Sequence, residues 1–476
     1  MDKFYITTSI AYTNAKPHIG FALELVQADT LARHKRNKGV DTRFLTGTDE
    51  HGQKIAKKAA GEGVDPQEFV DEVVESFDEL IDGLNISNDD FIRTTDKERH
   101  WPTVQKIWNA LDDSGDLYKK KYTGYYCVGC EAFLTEKDLV DGVCPNHDKE
   151  PEKVEEENYF FKLSKYEDEI KALIESDDLK IIPEGRKKEM LSFLSDGLED
   201  ISVSRSTDKL KWGIPVPGDD SQRMYVWVDA LSNYISALGY AEKNEEFDKF
   251  WPADVHCIGK DILRFHSIIW TGILLSAGIE VPENIFVHGF ITSNGKKMSK
   301  SIGNVVDPFE LIDQYGCDPV RYYLLSEIPP TGDGDFTYEK FENKYNSDLA
   351  DGLGNLISRT IGLATKVGVE FEKDRKAGGE IMKEVSKTEK RVNNLMDDYE
   401  FKKALEAIWN LIHFMDRYIE KKEPWKESWE QEKVVFEMLY VCYKLHELLK
   451  PFLPESAERI KEQIESLEKE ILFEKL

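Results

Sequence analysis

Residues able to handle a polyphosphate stand in two widely separated turns of this chain. The first is Pro17-His18-Ile19-Gly20-Phe21, where glycine lets a nucleotide approach the backbone and His18 offers a donor to a phosphate oxygen. The second is Ser293-Asn294-Gly295-Lys296-Lys297-Met298-Ser299-Lys300-Ser301, a glycine-hinged loop of lysines and hydroxyls suited to neutralising charge on a rearranging phosphoryl group. A lone Pro-His-x-Gly is most often an ordinary turn, and a charge run is usually a solvated face. A Lys-Lys-Met-Ser-Lys-Ser string after a strand is much rarer than either.

Other chemistry-bearing residues lie between and beyond these turns. Asp49-Glu50-His51-Gly52 closes a short apolar segment, and Asp49 there suits a substrate ammonium, although a capped helix start would also explain the run. Cys127-x-x-Cys130 and Cys144-x-x-His147, thirteen residues apart, each occupy a turn, and four such ligands match a tetrahedral zinc knuckle. No water-activating glutamate is expected beside the ligands and no position is left open, so the expected metal is structural. His266 and Trp270 share a helix face, with core packing as the alternative reading. Asn355 and Arg359 are also one turn apart, and Trp425 follows a proline at a helix end. These are residue types that pack in cores but also read and stack single-stranded bases.

The elements that must position these residues follow from periodicity. A β-branched strand over 4–10 runs into the first turn, and a helix begins near Gly20 and ends at Gly39. A second strand over 41–48 leads to Asp49, giving a βαβ unit whose ligands belong beyond the strands' C-terminal ends. Residues 65–115 read as helical. Tyr225 to Ala230 is a strand or strand-to-helix junction, 255–261 a strand and turn, 262–277 a helix, and 285–291 a strand. From Glu342 onward the pattern is helical, broken by Pro424, Pro451 and Pro454 into antiparallel pieces of a bundle.

Composition bounds the rest. At 476 residues the chain exceeds one core, and two to four domains are expected. No apolar run reaches a membrane span, and the opening strand leaves no room for a leader, so a cytoplasmic location without membrane contact is expected. The net charge of −28 argues weakly against nucleic acid, unless a local basic surface dominates at the contact. Of six cysteines, Cys257, Cys317 and Cys442 sit alone in apolar surroundings, as buried structural thiols do.

The combination of P-H-I-G-F with K-M-S-K-S resembles the class I aminoacyl-tRNA synthetases, and the rest of the chain resembles their methionyl branch. The likeness runs through Y-I-T-T-S-I-A-Y-T-N-A-K-P-H-I-G, F-L-T-G-T-D-E-H-G, the knuckle, W-G-I-P-V-P, Y-V-W-V-D-A-L-S-N-Y, I-G-K-D-I-L-R-F-H-S-I-I-W, G-N-L-I-S-R and E-K-K-E-P-W. It implies an α/β chain. A Rossmann-like parallel-sheet catalytic domain (1–116 and 225–290) is interrupted by a zinc-knuckle connective insertion (117–224). The lysine-loop and stem-contact region (291–345) and an all-α helical-bundle anticodon-binding domain (346–476) follow.

It also implies roles. His18, Gly20, Phe21, Lys297, Met298, Ser299 and Lys300 would bind ATP, with His18, Lys297 and Lys300 catalytic. Asp49 would hold the ammonium of L-methionine, while Ile10, Tyr12, Trp227, Ala230, Tyr234, Ile262, His266 and Trp270 would wall its thioether. Asn355, Arg359 and Trp425 would read the anticodon of tRNA(Met), Mg2+ would accompany ATP, and Zn2+ would sit on Cys127, Cys130, Cys144 and His147. Two departures stand out: Phe21 replaces a usual polar residue, and there is one knuckle where some relatives have two. The chain also stops soon after the bundle, without the tRNA-binding or dimerising domain some relatives append, and a monomer is expected. The alternatives are a class I synthetase for another apolar amino acid or cysteine, and a non-catalytic RNA-binding protein of synthetase descent.

Overall fold

The computed structural model describes residues 2–129, 131–134, 136–145, 149–298 and 303–476. They form two compact units. One contains the chain up to Pro17, Val40–Glu79 and Asn88–His288, and the other His18–Gly39, Leu80–Ser87 and Gly289–Leu476.

The first unit is built on a wholly parallel seven-stranded sheet. Its strands are β1 (Lys3–Thr8), β2 (Ala11–Tyr12), β3 (Asp41–Asp49), β4 (Asp90–Arg93), β5 (Lys180–Ile182), β6 (Val255–Gly259) and β7 (Asn284–His288). The order is β2-β3-β1-β6-β7-β5, with β4 also pairing β3. β1 and β6 are buried almost throughout, because a parallel sheet covered on both faces has no solvent side. The expected first strand ends early: β1 stops at Thr8, and β2 resumes the pairing with β3 one residue out of register, setting Tyr12 beside Asp49.

Two strands were not legible. β4 lies in the stretch expected to be helical, which in fact holds helices Pro66–Gly83 and Trp101–Asp113 on either side of it. β5 lies within the segment read as insertion, yet it pairs with β7 at the edge of the main sheet. The insertion's own sheet is antiparallel, with Leu117–Cys127 paired along its length to Glu152–Phe161 and flanked by Ala132–Leu134 and Ile201–Ser202. Arg205 is buried against this sheet, ion-paired to Glu156 at 2.5 Å and lying 3.8 Å from the Tyr126 ring centre.

The second unit carries the helix Ile19–Asn37, a three-stranded sheet (Ile291–Ser293, Lys296–Lys297, Gly334–Phe336) and a run of helices from Pro308 to Ser466. The bundle expected from Glu342 onward is present as Asn355–Val367, Gly379–Asp397, Phe401–Lys422, Gln431–Leu449 and Pro454–Ser466. A buried charge cluster ties this unit together. Asp29 pairs with Arg33 and Arg321, both at 2.7 Å, and accepts from the Ser87 N–H and hydroxyl. Arg321 also donates to the carbonyls of Leu84, Pro451 and Phe452. Burial alone would raise the Asp29 carboxyl, but the two guanidinium groups hold it below its ordinary value. Cys257, Cys317 and Cys442 are buried as expected. No helix among the described residues is long and apolar enough to cross a membrane.

Candidate active site

Most of the residues expected to wall an amino-acid side chain converge in the sheet unit. Of the two readings of Tyr225 to Ala230 the strand-to-helix junction holds: a strand over Asp219–Met224 leads into the helix Val226–Leu231, and Asn233–Ser236 follows as a second short one. The stretch expected as one helix over 262–277 is instead a 3-10 turn (Lys260–Ile262), a π-helical segment (Phe265–Trp270) and an α-helix (Thr271–Ala277). The wider π turn presents both His266 and Trp270 to Tyr234. Trp227 stacks on Phe265 with ring centres 3.8 Å apart, and lies edge-on to His266. Ile10, Trp227 and Ile262 pack against the core cluster that holds Tyr234 and Trp270. Ala230 is buried one turn ahead of Tyr234, where its carbonyl accepts from Asn233.

The protonation of this wall follows from its hydrogen bonds. His266 Nδ1 lies 2.9 Å from the Ile262 carbonyl, which can only accept, so the ring proton is on Nδ1. Burial holds the imidazole down at about 4, the carbonyl only partly opposing it, so the ring is neutral near pH 7. Nε2 is then an acceptor, and the Tyr234 hydroxyl donates to it at 2.6 Å. His256 stacks on Tyr234 at 4.1 Å, is bound by Thr7 from the neighbouring strand at 2.8 Å, and is held well below its ordinary value by burial.

Three carboxylates surround the end of β3. Asp229 accepts from His51 Nδ1 at 2.7 Å and from His100 Nε2 at 2.8 Å, and these histidines outweigh its burial and hold it below its usual range. Glu131 accepts from the Tyr12 hydroxyl at 3.0 Å, from the Lys54 N–H at 2.7 Å and from the Tyr126 hydroxyl. Asp49 is the odd member. Its Oδ1 is buried with no hydrogen-bond partner among the described residues, and burial together with Asp229 and Glu131 pushes its carboxyl well above the ordinary value. An acceptor left in this state is complementary to a cation supplied from outside. Gly52 is obligatory beside it: at φ 121 it takes a conformation L side chains avoid, and a Cβ would fall 2.6 Å from the Tyr12 hydroxyl.

In the second unit, His18 caps the helix Ile19–Asn37, its exposed ring accepting the Gly20 N–H at Nδ1 (3.0 Å). That bond places the proton of the neutral ring on Nε2, as the outward donor a phosphate needs. A Cβ on Gly20 would meet the His18 ring at 2.9 Å, so the glycine makes room for the cap. Phe21 is partly buried in the helix's first turn, its N–H given to the His18 carbonyl at 2.9 Å. Lys297 is exposed in the strand paired with Ile291–Ser293, and Met298 follows it, partly buried. Asp335 clamps this hairpin through the Gly295 N–H (2.6 Å) and the Thr292 hydroxyl (2.7 Å). Ser299 and Lys300 lie outside the described residues.

Of the metal ligands, Cys127 ends a strand and Cys144 bridges to Lys149, both buried in the insertion. Cys130 and His147 lie outside the described residues. In the bundle, Asn355 is exposed at the start of its helix, Arg359 one turn on stands 3.8 Å from Asp416, and Trp425 is 43% exposed.

Sequence reasoning missed the partners of these residues. His51 and Asp229 each stood inside a quoted motif without a role, and His100 and Glu131 carried no signal. Glu131 follows Cys130 directly, so the insertion contributes a carboxylate as well as thiols.

The chain matches the family model described as tRNA synthetases class I (M) over residues 4–152 and 137–361. It matches that of the anticodon-binding domain of tRNA ligase over 379–475. It is 47% identical to the methionine–tRNA ligase of Clostridium tetani, across 97% of this chain and 73% of the relative. It is 43% identical to that of Brucella suis, across 96% and 91%. The structure of Mycobacterium tuberculosis methionyl-tRNA synthetase in complex with methionyl-adenylate is similar with a TM-score of 0.92 at 39% identity, covering 98% of this chain and 96% of that one. Identity at this level, sustained in sequence and in backbone over nearly the whole chain, places the protein among the methionyl-tRNA synthetases of class I.

Proposed function

We propose that this chain activates L-methionine with ATP and transfers it to the terminal adenosine of tRNA(Met). In the first step a methionine carboxylate oxygen attacks the α-phosphorus, the bond to the bridging oxygen breaks, and pyrophosphate leaves. In the second, a ribose hydroxyl of the terminal adenosine attacks the activated carbonyl and AMP leaves.

The observation that carries this reading is the unpartnered Oδ1 of Asp49. The methionine ammonium supplies the missing partner and brings the Asp49 carboxyl back to its charged form. Ile10, Tyr12, Trp227, Ala230, Tyr234, Ile262, His266 and Trp270 wall the side chain, and aromatic and apolar surfaces suit a polarizable thioether. Keeping His266 neutral matters here, because an imidazolium would demand solvation that an apolar side chain cannot give.

His18 donates to the ATP phosphates, Gly20 and Phe21 sit under the nucleotide, and Lys297, Met298, Ser299 and Lys300 bind the triphosphate. Lys297 and Lys300 neutralise the charge that grows on pyrophosphate. The protein performs little covalent chemistry of its own, so positioning and charge stabilisation supply most of the acceleration. Mg2+ bound with ATP supplies further charge neutralisation. Zinc suits the two buried thiols of Cys127 and Cys144, completed by Cys130 and His147, and would cross-link the insertion over 117–224. Asn355, Arg359 and Trp425 read the anticodon.

Amino-acid-dependent pyrophosphate–ATP exchange with a panel of amino acids tests the reading. Methionine should support exchange and leucine and valine should not. Exchange with leucine or valine in place of methionine would overturn the pocket assignment, and exchange with none would overturn the enzyme. Homocysteine is the stringent competitor, since one methylene-sized group in an apolar pocket discriminates by only about 1–3 kcal/mol. Lys300→Ala should slow adenylate formation at least about tenfold, roughly 1.4 kcal/mol of barrier.

A further inference from the structure

The turn between helices Phe401–Lys422 and Gln431–Leu449 is held firmly at its base. Glu423 closes the first helix in the left-handed conformation at φ 46. The Lys426 N–H donates to the Glu423 carbonyl at 2.9 Å, and the Gln431 N–H to the Ser428 carbonyl at 3.1 Å. Gln431 Nε2 reaches back to the Pro424 carbonyl at 3.0 Å, and Lys422 pairs with Glu430 across the turn at 3.1 Å. Pro424 is buried beneath.

Two indoles project from this clamped turn. Trp425 is 43% exposed, and Trp429 is 91% exposed, more than any other large apolar side chain among the described residues. An indole usually hides most of its surface, and this one stands in water on a turn tied at its base by the hydrogen bonds and ion pair above. Its sequence neighbours Lys426, Glu427, Ser428 and Glu430 are polar and exposed or partly so, and Trp425 is the other exposed large apolar side chain of the turn. A single flat ring is enough for a nucleobase, because every base has a π face, and lysines nearby suit its phosphates. Two of the acids near it are paired, Glu430 with Lys422 at 3.1 Å and Glu423 with Lys426 at 2.7 Å, while Glu427 is exposed. The turn also lies inside the stretch matching the anticodon-binding domain.

We propose that Trp429 is a second stacking platform, taking the face of an unpaired anticodon-loop base whatever its identity, while Trp425 takes part in reading sequence. This rests on the reading of the bundle as the anticodon-facing surface. Stacking on an exposed ring contributes about 5- to 150-fold in affinity per base and discriminates little between bases.

The test uses the full chain and tRNA(Met) transcripts with native and substituted anticodons. Trp429→Ala should raise the KM for every transcript by a common factor of about 5 to 150, leaving the preference between anticodons and methionine-dependent exchange unchanged. Trp429→Phe should restore most of the loss, since a smaller ring still stacks. An unchanged tRNA KM in Trp429→Ala, a Phe variant as weak as Ala, or an altered anticodon preference would each overturn the proposal. Trp425→Ala separates the failures. If it loses anticodon preference while Trp429→Ala is silent, only the second platform falls; if neither changes tRNA use, the anticodon reading of the turn falls with it.

Discussion

In the sheet unit, Tyr234, His266 and Trp270 are at most 1% exposed, whereas Trp425 and Trp429 in the helical unit stand 43% and 91% exposed. Around the first group most polar atoms are paired: Tyr234 donates to His266, His266 to Ile262, and two histidines to Asp229, while the Trp227 and Trp270 indole N–H groups and Asp49 Oδ1 have no partner among the described residues. Around the second, the turn is tied at its base and the rings are left to solvent. A small ligand must be told apart with few contacts, so its site is desolvated and its polar groups are paired, except where the ligand completes them. A long ligand offers many contacts, so its readers can wait in water. Changes in the first region should therefore couple stability to function, and changes in the second should touch function alone.

Within the first region, Asp229 and Asp49 give the sharpest contrast. Asp229→Asn leaves an amide between two imidazole N–H groups and removes the charge they solvate. Breaking a buried pair of this kind costs about 3–5 kcal/mol, to be read from urea unfolding; a loss below about 1 kcal/mol would mean that the histidines are not held by that charge. Asp49→Asn should do the reverse. Its carboxyl is pushed up by burial and by Asp229 and Glu131, so its ionised form opposes folding above its ordinary value, and the amide variant should be as stable as the parent at pH 7 or more so. Its KM for methionine should nonetheless rise about 30-fold or more, as removing one partner of a buried charge pair costs about 2–5 kcal/mol. Destabilisation with an unchanged methionine KM would reverse the roles given to the two residues.

The contrast between the regions also decides what could be read from the sequence. His18, Gly20 and Asp49 could be named because rare residue types follow strand ends, and His266 and Trp270 because helical spacing puts them on one face, whereas Tyr234 came only from the family resemblance. Asp229 with His51 and His100 was not, since each contact joins residues more than a hundred positions apart and no local pattern encodes it. Strand β4 escaped because four residues with only Ile92 fully buried make no alternation, and tertiary pairing with β3 decides their conformation. Sequence could name Trp425 as a base-reading type, but not that Trp429 would be held outward, which depends on the Gln431–Pro424 and Lys422–Glu430 clamps.

Histidine titration offers a test that both units share. Burial holds His266 and His34 at about 4, so each folded ring binds its proton far later than the unfolded chain does near pH 6.5. The unfolded state then carries the extra proton between those values. Stability is complete above about pH 6.5 and is lost as pH falls toward 4, by about 3 kcal/mol for each group at 1.36 kcal/mol per unit. Replacing either histidine with Gln should flatten the acid limb of the stability profile by that share. Only His266→Gln should also raise the KM for methionine. A methionine KM that moves equally in the His34 variant would show that the two units do not divide the work in this way.

The smallest effect is expected at Trp425. With its ring 43% exposed on a turn whose hydrogen bonds are made by other residues, Trp425→Ala should change unfolding free energy by no more than about 0.5 kcal/mol, the range of surface substitutions. Methionine-dependent exchange should be intact. Discrimination between tRNA(Met) and tRNAs with other anticodons should fall by about 5- to 150-fold, the worth of one stacked and recognised base. Equal losses in exchange and charging, accompanied by lowered stability, would mean that this indole supports the bundle as Tyr234 and Trp270 support the core of the sheet unit, and the distinction between a desolvated site and a waiting one would not hold at Trp425.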